Sequence, residues 1–280
     1  MVVRNRPADV TALARETGRY SLRGGKKGYD RLLLLASSRW PDTSALFARA
    51  GLSSGMRCID LGCGGGEVTM KMASLVAPMG SVVGLDMDSV KLGLAKKAAK
   101  ERGVTNVEFR RLPVQEWDEP GYYDAAYTRF LLQHLSQPVA LLRRMWAALR
   151  PGGLLIVEDA DFGGLSSYPV NSGLRFFLRA YSRMIELRGG DHAVGRKLYS
   201  YFLEAGIPSP SMSLVGSVHY EGEEKTLPLS TLEATADSIV SEGIASRDQV
   251  AAAIASLEEF TKDPRTLIFG PRVFQLYSHR

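Results

Sequence analysis

A chain of 280 residues with 45% hydrophobic and 23% charged residues has the composition of a soluble globular protein with enough apolar residues for a sizeable core. No apolar run approaches the roughly 18 residues of a membrane span, and none follows the basic N-terminal residues Arg4 and Arg6, so neither a membrane segment nor a secretory signal is read and a cytoplasmic location is expected. The net charge of +5 (pI ≈ 9.2) is spread along the chain, which disfavours a nucleic-acid partner, and the two cysteines, Cys58 and Cys63, are too few for a disulfide framework or a four-ligand zinc site.

Residues 1–19 are polar, and 20–27 (Tyr20 to Lys27) read as a turn. Gly28-Tyr29-Asp30 leads into a helix through Arg31 to Ala36 that is apolar on most faces and therefore buried. Pro41 with Asp42 and Thr43 restarts a helix through Ala50, closed by Gly51. This 1–50 segment is expected to lie across one end of a sheet. Strands and helices then alternate: a strand at 56–61, a helix at 66–77, a strand at 81–86, a helix at 89–102, strands at 107–110 and 123–128, a helix at 139–149 and a strand at 154–158. Such alternation predicts a mostly parallel α/β sheet covered on both faces, with ligands beyond the C-terminal strand ends. The pattern loosens after 160: an aromatic-faced helix at 172–188, a helix at 196–205, a strand at 213–220, helices at 230–242 and 246–262, and a last strand at 266–277 interrupted by Gly270-Pro271. Residues 51–160 thus read as a nucleotide-binding core, and 161–280 as the rest of the sheet with helices that form a lid.

The most informative stretch is Cys58-Ile59-Asp60-Leu61-Gly62-Cys63-Gly64-Gly65-Gly66-Glu67, a buried strand, a glycine turn and a helix start. Glycines let backbone approach a ligand, and a helix start presents free N–H groups. A second strand ends at Asp86, placed to meet a ribose. A dinucleotide turn needs glycine where Glu67 stands, and Asp60 before the turn is unhelpful to a pyrophosphate; it suits a ligand with an ammonium or a sulfonium.

With these residues in view, Asp60 to Gly66 resembles the first motif of the class I S-adenosylmethionine-dependent methyltransferases. Asp86 resembles their second-strand acid, Tyr123-Asp124-Ala125-Ala126-Tyr127 with Leu131 to Leu135 their fourth-strand motif, and Leu149-Arg150-Pro151-Gly152-Gly153 the turn into their fifth strand. The four motifs stand in order over roughly 56–160. The resemblance implies a Rossmann-like, doubly wound, mostly parallel seven-stranded sheet with an antiparallel last strand, a helical N-terminal segment over the cofactor and helical lid insertions. It also implies S-adenosyl-L-methionine as cofactor, S-adenosyl-L-homocysteine as product, and no metal. By position it assigns Gly62 and Gly64 to the methionine part of the cofactor, Asp60 to orienting the turn or to the ammonium through a water, Asp86 to the ribose hydroxyls, Met87 to the adenine face, Val114 and Gln115 to the adenine edge, Thr128 and Arg129 to the methionine end, and Tyr20 and Arg31 to the covering segment. One departure is Pro113, where the family often has an aspartate that pairs with the adenine amino group.

Methyl transfer from an activated donor needs alignment and water exclusion more than a strong catalytic motif, and no catalytic residue is assigned. His134, His192, His219 and His279 show neither metal nor triad spacing, and His134 is read as structural. Asp159, Tyr168 and Tyr199 are the candidate acceptor contacts, with Glu158, Asp161 and Arg196 nearby in sequence. The expected activity is methylation of an O, N or C atom of a small organic acceptor. The alternatives are an RNA or protein acceptor, a nicotinamide-dependent oxidoreductase, which Glu67 disfavours, and a protein that binds the cofactor without catalysis.

Overall fold

The computed structural model describes residues 25–280, so the expectations for residues 1–24, Tyr20 among them, lie outside the described residues. The chain opens with α1 (Gly25–Ala50) and continues through β1 (Arg57–Leu61), α2 (Glu67–Val76), β2 (Ser81–Asp86), α3 (Ser89–Glu101), β3 (Val107–Arg111), β4 (Tyr123–Arg129), α4 (Pro138–Ala148) and β5 (Leu149–Asp161). The second half holds β6 (Ser166–Tyr168), α5 (Ser172–Leu187), α6 (Leu198–Glu204), β7 (Ser211–Val215), β8 (Val218–His219), α7 (Leu227–Ser241), α8 (Arg247–Lys262), β9 (Leu267–Phe269) and β10 (Arg272–His279).

Seven strands form one sheet in the order β3-β2-β1-β4-β5-β10-β7. β1 to β5 pair in parallel, and β10 runs antiparallel to both β5 and β7. This is the doubly wound sheet with an antiparallel last strand that the resemblance implied. Period-two alternation sorts its side chains. Ile59, Leu61, Leu155 and Val157 face Leu142 and Met145 of α4 and Phe202 of α6. Cys58, Tyr127, Leu154 and Ile156 face Phe47 of α1 and Met72 of α2. Because the strands are parallel, the ends of β1, β2, β4 and β5 fall on one edge, where the first glycine turn also lies.

Four expectations are corrected. The N-terminal segment is one 26-residue helix, not two, and Pro41 lies inside it. Proline removes one N–H from the ladder, but Leu46 and Phe47 beyond it are anchored in the sheet core, which keeps the helix in line. The fifth strand starts five residues early, at Leu149, because Gly152 N–H donates to Arg280 and Arg280 N–H to Gly153, stitching the turn to the chain end. The strand expected at 213–220 is two strands, β7 in the main sheet and β8 in a second sheet. The last strand is likewise divided at Gly270-Pro271 into β9 and β10. Both chains leave the main sheet together, tied at the bend by Gly270 N–H donating to Ser217 C=O at 2.8 Å.

The second sheet, β6-β9-β8, is antiparallel throughout and lies beside α5, α7 and α8. These helices have a core of their own: Leu174, Phe177, Tyr181 and Met184 of α5 meet Leu232 and Ile239 of α7, Leu257 and Phe260 of α8, and Leu165 and Ile268 of the small sheet. Capping defines their starts: Asn171 Oδ1 accepts from Leu174 N–H at 2.8 Å, and Ser246 with Gln249 forms a capping box at α8.

Candidate active site

The turn between β1 and α2 is shaped by three glycines with positive φ: Gly62 (74°), Gly64 (54°) and Gly66 (74°). A Cβ on Gly66 would stand 2.6 Å from the Phe109 ring and 2.8 Å from Ala95 Cβ, so backbone conformation and space both exclude larger residues. Gly62 and Cys63 N–H both donate to Leu85 C=O, at 2.8 and 3.0 Å, which sews the turn to β2. Asp86 closes the same link from the other side. Its Oδ2 accepts from Gly64 N–H at 2.8 Å and its Oδ1 from Asp88 N–H at 2.9 Å, leaving lone pairs for further donors. Glu67, the residue that disfavours a dinucleotide, is clasped by Arg102.

Asp60 lies under the turn, almost fully buried, and accepts a hydrogen bond from Thr69 Oγ1 at 2.6 Å. Burial pushes its carboxyl up to about 6, with the Thr69 hydroxyl and Arg129 acting in the opposite sense. α1 covers the turn: the Tyr29 ring would stand 2.9 Å from a Cβ on Gly65, and Leu32 packs against Gly64.

A cavity runs from this turn beneath α1 to the small sheet. Arg31, Asp60, Gly62, Gly64 and Arg129 line it, so five sequence-assigned cofactor residues meet at one cavity. Asp86 adjoins them through Gly64, with Met87 next in the chain and partly exposed. Val114 and Gln115 do not line the cavity. The Val114 side chain is in the sheet core, and the Gln115 carbonyl accepts from Arg144. Thr128 is fully buried and donates to Leu61 C=O at 2.9 Å, so its hydroxyl braces β4 against β1 and does not line the cavity.

The acceptor contacts assigned from sequence are not among the residues that line the cavity. Asp159 falls on the β5 face opposite Glu158, fully buried outside the cavity lining, where it accepts from Ala160 N–H at 2.8 Å and Gln133 N–H at 3.3 Å. Burial pushes its carboxyl up to about 7. Tyr168 on β6 is 66% exposed and Tyr199 on α6 is 46% exposed, both away from the cavity. Glu158 is held by Tyr127 Oη–H at 2.7 Å and Gln275 Nε2–H at 2.8 Å, and Asp161 is clamped between Arg196 and Arg272.

The far wall of the cavity comes from residues that sequence reasoning had not assigned to a site: Arg39 of α1, Phe162, Phe177 and Tyr181, His219 of β8, and Thr231 of α7. The aromatic face of α5 was the one available signal, and it serves as core and wall at once. Phe130, also in the wall, has φ of 55°, an uncommon conformation for a non-glycine residue. His134 lines the cavity as well; burial, with the charges of Lys91 and Arg31, lowers it to about 3, so the ring is neutral. Among the described residues no group of three or more His, Cys, Asp and Glu side chains is placed to hold a metal, and no helix is long and apolar enough to cross a membrane.

Known proteins resemble this chain in sequence or in fold. Residues 52–184 match a family model described as a methyltransferase domain. A Bordetella pertussis protein named ubiquinone biosynthesis O-methyltransferase is 37% identical over 136 residues, 48% of this chain and 55% of that protein. An uncharacterised 37.1 kDa protein of a Streptomyces fradiae transposon is 31% identical over 183 residues, 64% of this chain and 50% of that one. The chain spans about half the length of these curated relatives. Among solved structures, coclaurine N-methyltransferase bound to N-methylheliamine and S-adenosylhomocysteine superposes with a TM-score of 0.53 at 16% identity, over 86% of this chain and 71% of that one, a likeness of fold. Residues 52–184 are thus similar to a methyltransferase domain, in line with the resemblance carried by the four ordered motifs.

Proposed function

We propose that the protein is a methyltransferase that moves the methyl group of S-adenosyl-L-methionine to an O, N or C atom of a small organic acceptor. The observation that carries this reading is the joining of two sites in one cavity: the Asp60–glycine turn–Asp86 unit at one end, and an aromatic and arginine-bearing wall at the other. The residues fit the cofactor. Gly62 and Gly64 leave backbone room for the methionine moiety, Asp60 offers a buried carboxylate to its ammonium, and Arg31 lines the same end for its carboxylate. Asp86 keeps acceptor capacity for two ribose hydroxyls. Met87 is the residue for the adenine face, with the backbone of Val114 and Gln115 beyond it, and Arg129 stands at the methionine end.

The cofactor supplies a methyl group already activated by the sulfonium. When bound, it would pass that methyl to an electron pair of the acceptor atom, with S-adenosyl-L-homocysteine as the product. The chain's part is to align the acceptor and exclude water, which α1, α5 and α7 do by enclosing the cavity. That enclosure favours a small acceptor over RNA or protein. A cytoplasmic location belongs to this reading, supported by the two free thiols, Cys58 and Cys63.

Calorimetric titration with S-adenosylhomocysteine is expected to show micromolar binding, and labelled methyl transfer to one member of a small-molecule acceptor panel is expected to follow. No binding of the product overturns the cofactor assignment. Binding without transfer to any small molecule points to a protein that holds the cofactor for another purpose.

A further inference from the structure

Arg39 lies about two helical turns beyond Arg31 on α1, and both line the cavity. Its side chain is buried, with the residue 4% exposed. Nη2 donates to Ser217 Oγ at 2.7 Å, while Nε and Nη1 are shielded from solvent without a hydrogen-bond partner among the described residues. Two nearby carboxylates, Asp42 and Glu158, act on it through space, but neither accepts a hydrogen bond from it among the described residues. Glu158 is already occupied by Tyr127 and Gln275, and Arg129 adds a second positive charge. His219 Nε2 stands 2.8 Å from the same Ser217 hydroxyl, and burial together with Arg39 lowers its pKa, which disfavours a further positive charge there. A buried guanidinium with unmet N–H groups is costly unless an anion meets it.

The cofactor does not meet this need. S-adenosylmethionine carries an ammonium, a sulfonium and one carboxylate, so it adds positive charge to a cavity lined by Arg31, Arg39 and Arg129. The carboxylates in the lining are Asp60, under the turn, and Glu67, already paired with Arg102. Arg39 also faces the wrong end for the cofactor. Its Nη2 would stand 2.9 Å from a Cβ on Gly270, at the bend between the two sheets, whereas the glycine turn is covered by Tyr29 and Leu32. Apolar side chains, Leu165, Phe177 and Ile268, line the cavity in the same region.

We propose that the methyl acceptor carries a carboxylate that pairs with Arg39, while its apolar body lies against Phe177, Leu165 and Ile268. This rests on the methyltransferase reading of the same cavity. A single carboxylate matches one guanidinium in an apolar setting, and Arg39 selects among acceptors without taking part in the displacement.

The test uses the full chain, with and without saturating S-adenosylhomocysteine, and matched probes: benzoate, cinnamate and octanoate against benzamide, cinnamamide and octanamide, by calorimetry. At least one acid is expected to bind about tenfold or more tightly than its amide. Arg39→Gln and Arg39→Met, checked for folding by circular dichroism and thermal melting, are expected to abolish that preference while the S-adenosylhomocysteine affinity stays within about twofold of wild type; Arg39→Lys keeps part of it. Equal binding of acids and amides, absence of acid binding, or an equal loss of product affinity in Arg39→Gln overturns the proposal. Failure of wild type to bind S-adenosylhomocysteine overturns the cofactor reading instead, and the acid–amide comparison on the ligand-free protein still decides the role of Arg39.

Discussion

The two ends of the cavity are built in opposite ways. The end proposed for the cofactor comes from one continuous stretch: Asp60, the glycine turn and Asp86 lie within 27 residues, and their geometry is set by two adjacent strands and local backbone conformation. The acceptor end draws on α1, the loop after β4, α5, α7, β8 and the β9–β10 bend, elements more than 200 residues apart in the chain. A site made of backbone and neighbouring strands tolerates little variation, because a Cβ at Gly66 would strike Phe109. A wall assembled from distant side chains can change its chemistry one residue at a time. A class of enzyme can thus keep one donor while its acceptors diverge.

Four measurements break or sharpen that contrast. The largest effect is expected from Phe177→Ala, which empties a fully packed position shared by the α5–α7–α8 core and the cavity wall. Urea denaturation should show a loss of about 3–5 kcal/mol. At a temperature where the variant stays folded, product affinity should hold while acceptor turnover falls; a parallel loss of both would mean that the two ends are not separable. Asp86→Ala should do the reverse. It removes the acceptor for Gly64 and Asp88 N–H as well as for the ribose, so S-adenosylhomocysteine affinity should drop by about 30- to 100-fold, with stability changed far less than in Phe177→Ala.

The third effect is pH-dependent. Asp60 has its folded-state carboxyl raised to about 6, so its contribution to stability is complete below the ordinary aspartate range near 3.8 and is lost as pH rises through 6. On the proposed cofactor assignment, affinity is expected to have the opposite sign, because the ionised carboxylate would meet the ammonium. Product affinity is expected to weaken about tenfold from pH 7 to pH 5, and Asp60→Asn should flatten that profile. A wild-type profile without this fall would remove Asp60 from the cofactor end. The smallest effect is expected at Tyr168→Ala and Tyr199→Ala. Both side chains are exposed away from the cavity, and stability and turnover should stay within about 0.5 kcal/mol of wild type.

The contrast also explains what could be read from residues alone. The strand–turn–strand unit was legible to within a residue, because glycine spacing, apolar runs and the terminal Asp86 are all local signals. The alternation in 213–220 was also real, but period two reports a pleated backbone and not which sheet the strand joins. The chain therefore passes from β7 to β8, and the last strand from β9 to β10, without a mark beyond Gly216 and Gly270-Pro271. Pro41 misled in the other direction, since a local helix breaker was outweighed by the burial of Leu46 and Phe47. Asp159 was expected just past the fifth strand, yet β5 runs on to Asp161, and the one-residue step from Glu158 turns the Asp159 side chain to the opposite face.

The sequence by itself determined the parallel sheet and the elements of the proposed donor side, a glycine turn that disfavours a dinucleotide and an acid at the end of the second strand, all encoded within short windows where backbone geometry dominates. Only the tertiary structure decided the acceptor side. Arg39, Phe177, His219 and Thr231 belong to four elements whose own periodicities are those of ordinary buried or surface residues, and their meeting depends on long-range packing of α1 and the second sheet. Arg39 is one more basic residue on a helix until burial strips its water and leaves two of its nitrogens without a hydrogen-bond partner.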